Sequence, residues 1–233
     1  MTRSRTRAAT DNREMAAESQ SRTSPKRLTQ DERRERSESR MLAAAIELFG
    51  RQGSGRTTLV EIGKVAGYTH GLVGHRFGSK SGLVRRLIKN LQRDFSRRQL
   101  TEITERRTGL EALLEVVRSS LNLMAVGTTS ARVIRALTVL AGEALGPVPE
   151  ILGDVIGLNR NFKVVLRKLI EEGIAAGEIR KDARPAEQAA LIVGMLRGIE
   201  IQWCQDSDSI PLDSIISEVT TSLRRSLQSS APR

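Results

Sequence analysis

Residues 57–80 read TTLVEIGKVAGYTHGLVGHRFGSK, and the fold turns on this stretch. Thr58, followed three residues later by Glu61, forms a capping box in which each partner satisfies an amide that a helix start leaves open. Ile62, Val65 and Ala66 give the helix that follows one apolar face. Gly67 ends it, because glycine accepts the positive φ that most residues avoid. Thr69 offers a hydroxyl cap to a second helix, on which Val73 and Phe77, four apart, form a narrow apolar stripe. The other face of that helix carries His70, Gly71, Leu72, Gly74, His75 and Arg76. Two short helices across a glycine turn are the ingredients of a helix-turn-helix, whose second helix enters the DNA major groove.

Outward from this pair, residues 35–52 predict an amphipathic helix. Leu42, Ala45, Ile46 and Phe49 fall at i, i+3, i+4 and i+7, the spacing of a core-facing stripe, and Gly53 stops it. On the other side Gly78 breaks the chain and Ser79 recaps it. A further helix is expected over residues 80–102, with Leu83, Leu87, Leu91 and Phe95 buried. Lys80 in its first turn sets an ammonium beside open helix amides, where a phosphate could dock.

Residues 41–84, MLAAAIELFGRQGSGRTTLVEIGKVAGYTHGLVGHRFGSKSGLV, resemble the N-terminal domain of the TetR family of transcriptional regulators. The matching pieces are Leu42, Ala44, Ala45, Leu48 and Phe49, then Gly53, Thr57, Thr58 and Ile62, then Ala66, Gly67, Gly71, Phe77, Ser79 and Lys80. The resemblance implies an all-α fold: a three-helix helix-turn-helix DNA-binding head plus a larger all-helical ligand-binding and dimerisation body. Ligand binding in such proteins typically changes the spacing of the two heads and releases DNA. On the recognition helix the family usually has a Ser or Thr cap, a small residue two on, then Thr-Leu-Tyr. Thr69 and Gly71 fit; Leu72 replaces the polar residue and Gly74 the phosphate-binding Tyr. His75, Arg76 and Lys80 remain as phosphate partners. His70 is the candidate to reach a base edge and Leu72 to meet a thymine methyl. Val60, on the preceding helix behind Thr58, stands where some members place a base-reading polar side chain.

Residues 1–34 are rich in Arg, Ser, Thr and Glu and nearly free of large apolar groups, so a disordered basic arm is expected. The head is assigned to residues 35–80 and the body to 81–228. Helices are expected over 109–126, 130–145, 149–176, 185–206 and 209–228, parted by glycine- and proline-containing turns. On the last two, Ala190, Gly194, Gly198 and Ile201 pair naturally with Ile216, Val219 and Leu223 as a dimer interface of four helices. Phe95, Met124, Leu137, Leu140, Phe162 and Trp203 are large apolar groups on the helices that line the ligand cavity in the family.

Charge is unevenly placed along the 233 residues, whose net formal charge is +11. Residues 1–40 hold eleven Lys and Arg against seven Asp and Glu, residues 41–108 thirteen against five, and residues 109–233 fourteen against fifteen. A basic module joined to a neutral one suggests a polyanion binder attached to something else. Aromatic residues make up 3% of the chain, so the core must be mostly aliphatic. Cys204 is the one cysteine, which rules out an internal disulfide and fits a reducing compartment. The longest apolar run, residues 189–196, is far short of the roughly 20 that a bilayer requires, so a cytoplasmic protein is expected. His70 and His75 are both committed to one helix, which leaves no Ser-His-Asp or Cys-His set for an enzyme; five apart, they do not share a helix face, and no Cys or carboxylate cluster flanks them, so no metal site is expected. No cofactor is expected. The partners are a double-stranded DNA operator, an unknown small-molecule effector and a second copy of the chain. The rival reading is a nonspecific nucleic-acid-binding helical protein without effector control.

Overall fold

The computed structural model describes residues 29–94 and 101–229. Residues 1–28 of the arm expected over residues 1–34, and Phe95, lie outside them. Contacts divide the chain between Ser37 and Glu38. Of the first unit, residues 29–37 are described, and they open helix α1 (Gln30–Arg56). The helix starts five residues ahead of the expected position 35 because Thr29 caps it. The Thr29 amide donates to Glu32 Oε2 at 2.7 Å and the Glu32 amide to Thr29 Oγ1 at 3.2 Å, a second capping box.

The second unit holds the rest of α1 and then α2 (Leu59–Ala66), α3 (His70–Phe77), α4 (Lys80–Asp94), α5 (Thr101–Arg106), α6 (Gly109–Asn122), α7 (Thr129–Ala144), α8 (Leu152–Ala175), α9 (Pro185–Gln205) and α10 (Leu212–Leu227). A 3-10 turn, Pro149–Ile151, precedes α8. The architecture is all-α: the described residues form no strand, and an isolated bridge joins Ile179 to Gln228.

Two aliphatic cores hold these helices. The first gathers Met41, Ala45 and Phe49 of α1, Ile62 of α2, Val73 of α3 and Leu83 and Leu87 of α4. Ala136, Leu140 and Ala144 of α7 complete it. The second is built on α6, where Leu110, Leu113, Leu114, Val117 and Leu121 meet Leu166 and Ile170 of α8, Ile192 and Leu196 of α9, and Ile216 and Val219 of α10. Each fully buried Leu or Ile contributes about 1.5–3 kcal/mol by leaving water. α7 serves both cores, since its Ala131 and Ile134 belong to the second. Together the cores join α1 and the two eight-residue helices α2 and α3 to a larger helical body.

The expected face of α2 needs one correction. Ile62 and Ala66 are buried, but Val65 is 50% exposed. The inward stripe is Leu59, Ile62, Gly63 and Ala66, at i, i+3, i+4 and i+7, and Val65 falls off it.

Candidate nucleic-acid interface

The geometry of the helix pair follows from its caps. The Thr58 amide donates to Glu61 Oε2 at 2.8 Å and the Glu61 amide to Thr58 Oγ1 at 3.2 Å. Hydrogen bonds from the Thr58 amide, and then from its hydroxyl, hold the Glu61 carboxyl below the usual carboxylate range. At the far end Gly67 lies at φ 76° and ψ 32°. The Tyr68 amide reaches back to the Gly63 carbonyl at 2.8 Å, closing the helix in a left-handed cap. Thr69 caps α3, with the Leu72 amide donating to its Oγ1 at 3.4 Å.

Gly63 is a residue whose role the sequence reading missed. A Cβ there would meet the Tyr68 carbonyl oxygen at 2.9 Å and the His70 amide nitrogen at 3.3 Å. Its bare α-carbon lets the start of α3 lie directly on α2, which sets the angle of the pair. The available signal was a glycine at a core position of an otherwise apolar helix face, a pattern that marks close backbone approach.

α3 buries Val73 completely and half-buries Phe77. His70, Gly71 and His75 are exposed, as are Thr58 and Thr69 at the two caps, while Gly74 and Arg76 are half-buried. Val60 on α2 is 58% exposed. No acidic residue occurs within α3, so the outward surface of this helix presents no charge that would repel phosphate.

Two expectations for this surface change. Leu72 is half-buried and packs against the first core beside Tyr68, because the core of an eight-residue helix this thin draws in its flanking apolar groups. Lys80 does not stand clear for phosphate. Its Nζ donates to the carbonyl oxygens of Ser54 at 2.6 Å, Thr57 at 3.3 Å and Gly55 at 3.4 Å. An ammonium has three protons, and these carbonyls engage them.

The residues picked for a ligand cavity do not come together. Met124 and Trp203 are buried in the second core with Phe162 packed against it, whereas Leu140 and Leu137 belong to the first. Arg135 of α7 lies over the Trp203 ring at 5.4 Å and donates to the Cys204 carbonyl at 2.8 Å. A cleft of about 350 Å³ opens elsewhere, between α6 and α10, lined by Leu114, Ile216 and Thr220 with Arg118 and Arg224 at its polar wall.

The expected dimer set also divides. On α9, Ala190, Gly194 and Ile201 are exposed and Gly198 is half-buried. A Cβ at either glycine would meet nothing within 4 Å. On α10, by contrast, Ile216 and Val219 are buried in the second core, with Leu223 packed against it. These three close the body of one protomer, because α10 turns that face onto α6. Among the described residues, no group of three or more His, Cys, Asp or Glu side chains is placed to hold a metal ion, and no helix is long and apolar enough to cross a membrane.

A short capped helix pair with its second helix turned outward, mounted on a helical body, defines a helix-turn-helix regulator. A sequence model of the family described as "Bacterial regulatory proteins, tetR family" matches residues 41–87, so the helix-turn-helix head of the chain is similar to the head of this family of transcriptional regulators. Such regulators bind DNA operators, dimerise and bind small-molecule effectors. The chain is similar to the fatty acid metabolism regulator protein of Bacillus subtilis (strain 168), 25% identical over 181 residues that span 77% of this chain and 89% of that one. Its fold is similar to that of the transcriptional regulator FadR from Bacillus subtilis in complex with stearoyl-CoA, with TM-score 0.71, 21% identity, and coverage of 81% of this chain and 98% of that one. It is also similar to NalD, the secondary repressor of the MexAB-OprM multidrug efflux pump in Pseudomonas aeruginosa, with TM-score 0.68, 19% identity, and coverage of 84% and 98%.

Proposed function

We propose that the protein is a dimeric repressor released from its operator by a long-chain acyl-CoA. The likeness to the fatty acid metabolism regulator, which extends over 89% of that protein and so through its body as well as its head, carries the reading. The resemblance to a fold captured with stearoyl-CoA supports the ligand class. An aliphatic body with few aromatic groups is chemically suited to an acyl chain, for which the hydrophobic contribution is about 0.8 kcal/mol per buried CH₂.

In this reading two copies of α3 enter successive major grooves of a near-palindromic site, about 34–36 Å apart. His70 and the exposed part of Leu72 supply direct readout, with Thr58, Val60, Thr69 and Gly71 at the same surface. His75 and Arg76 add salt-dependent phosphate contacts. The outward stripe of α9, Ala190, Gly194, Gly198 and Ile201, forms the dimer contact. An effector that binds better to the DNA-incompetent arrangement weakens operator binding by the same factor.

The test starts with operator fragments selected from random DNA by the purified protein. Fluorescence anisotropy then compares selected and random duplexes at fixed salt, with and without stearoyl-CoA. A specific repressor keeps a ratio of about 10³ or more between the two DNAs, and stearoyl-CoA raises its operator Kd. Equal affinity for both DNAs points to the nonspecific binder instead. A retained ratio with no response to stearoyl-CoA rejects the effector.

A further inference from the structure

The turn at residues 54–57, between the end of α1 and the cap of α2, is gripped by charges from two other helices. From the body, the Glu143 carboxylate near the end of α7 accepts from the Ser54 hydroxyl at 2.6 Å, the Ser54 amide at 2.9 Å and the Gly55 amide at 3.3 Å. From the other side, Lys80 Nζ at the start of α4 holds the Ser54, Gly55 and Thr57 carbonyls. Three donors of the turn meet one anion, and three of its acceptors meet one cation. Hydrogen bonds to charged partners are about twice as strong as neutral ones.

The chain is shaped around this grip. Ser54 is fully buried, so its amide and hydroxyl have no water to fall back on. Gly53 sits at φ 79° with a Cβ position that would collide with Glu143 Oε1. Thr57, also buried, bonds the Gly53 carbonyl through its hydroxyl at 2.7 Å, and the next residue is the cap of α2. Any shift of Glu143 is therefore passed within four residues to the helix pair. α7 links the two cores, since Ala131 and Ile134 sit in the body core while Ala136, Leu140 and Ala144 sit in the head core.

We infer that Glu143 is a positioning residue for DNA binding: through the 54–57 turn it fixes where the helix pair stands relative to α7, and it transmits rearrangement of the body to the head. The ligand-dependent half of the test rests on the acyl-CoA reading; the other half does not. Glu143→Gln keeps size but turns an amide NH₂ toward donors, and Ser54→Ala removes the hydroxyl bond from the head side without touching α7, leaving the two amide bonds in place.

Operator Kd is measured for each protein with and without stearoyl-CoA. A wild-type ratio of about 5–150-fold is expected to fall to within about twofold of unity in Glu143→Gln and part of the way in Ser54→Ala. A wild-type ratio retained by folded Glu143→Gln overturns the inference. Hydrogen exchange of the free protein, without DNA or ligand, is the second readout. Amides of α2 and α3 are expected to exchange about tenfold faster in the variants, the loss of one charge-assisted bond, while those of α6 and α8 keep wild-type rates. Unchanged protection in α2 and α3 overturns the inference, and so does faster exchange throughout, which is lost stability and not a lost joint. If the wild type ignores stearoyl-CoA, the effector reading falls and the exchange result alone decides the role of Glu143.

Discussion

Replacing Gly71 and Gly74 by alanine should make α3 more stable, and the structure sets the size of the gain. Glycine in a helix interior costs about 1 kcal/mol relative to alanine through the backbone freedom it loses. That figure transfers only where the new methyl meets no clash and the backbone no strain. Both conditions hold: a Cβ at either position would have nothing within 4 Å, and neither residue has positive φ. Gly74 lies in the interior of the eight-residue helix, whereas Gly71 is its second residue, where a frayed first turn gives up less entropy. We expect about 1 kcal/mol from Gly74→Ala and about half that from Gly71→Ala. For a cooperative unit of this size, about 1.5 kcal/mol raises Tm by roughly 3–6 °C. Urea denaturation at fixed pH gives the same quantity as a shift in midpoint at constant m. A Tm that stays put or falls in Gly74→Ala would refute the reasoning, because it would mean that the glycine has a conformational role in the free head. DNA binding then separates two uses of the glycine. If α3 tightens on its operator, preordering it strengthens binding by up to about tenfold, the equivalent of 1.4 kcal/mol. If the glycine is there to let backbone approach phosphate, stability rises while operator affinity drops.

The grip of Lys80 on three carbonyls makes Lys80→Met a stability variant, not a phosphate variant. It should cost about 1.5–3 kcal/mol in urea unfolding, and the slope of log K against log salt for operator binding should match wild type; a slope shallower by about one would restore Lys80 as a phosphate contact. Gly198→Trp, with open space above its α-carbon, should leave the helical circular dichroism intact and yield monomers by light scattering, whereas persisting dimers would move the interface off this stripe. The Arg224 guanidinium hydrogen-bonds Glu111 at 2.5 and 2.9 Å and holds its carboxyl below the usual carboxylate range. A lowered folded value means that the stabilisation is complete above about pH 4.5 and is lost as pH falls through the folded value. Because the pair is exposed, the difference between wild type and Glu111→Gln should be about 0.2–1 kcal/mol at pH 7 and shrink to nothing as pH falls through the lowered folded value; a difference that persists in strong acid would count against the pair.

The head was legible because its signals are local. A capping box, a left-handed glycine and a hydroxyl cap each depend on residues within four positions, and Thr58, Gly67 and Thr69 stand in the structure in those conformations. Periodicity marked the helices of the body in the same way. It could say that Ile216 and Val219 share an inward face, but not whether that face meets α6 of its own chain or a second copy, since hydrophobic burial carries no direction. The same limit scattered the cavity residues: Leu140 and Met124 are both apolar and fully buried, yet they lie in different cores, and nothing within a helical turn of either distinguishes them.

Glu143 shows where reading along the chain stops. In sequence it is an acid near the end of a helix, LAGEALG, indistinguishable from a solvated surface charge. Its three donors lie 88 and 89 residues away, and they are available to it because Gly53 breaks α1 there and exposes the next amides. Lys80 was noticed for its charge at a helix start and assigned outward for the same reason. Both are charges whose partners are backbone groups, and every residue has those, so no pattern of side chains could announce the pairing. What the sequence did hold was the complement: a glycine at 53 followed by two small residues, Ser54 and Gly55, leaves backbone polar groups uncovered by bulk. Buried backbone groups must find partners, and a turn this bare, pressed between two helices, draws one charge of each sign from the helices that cover it.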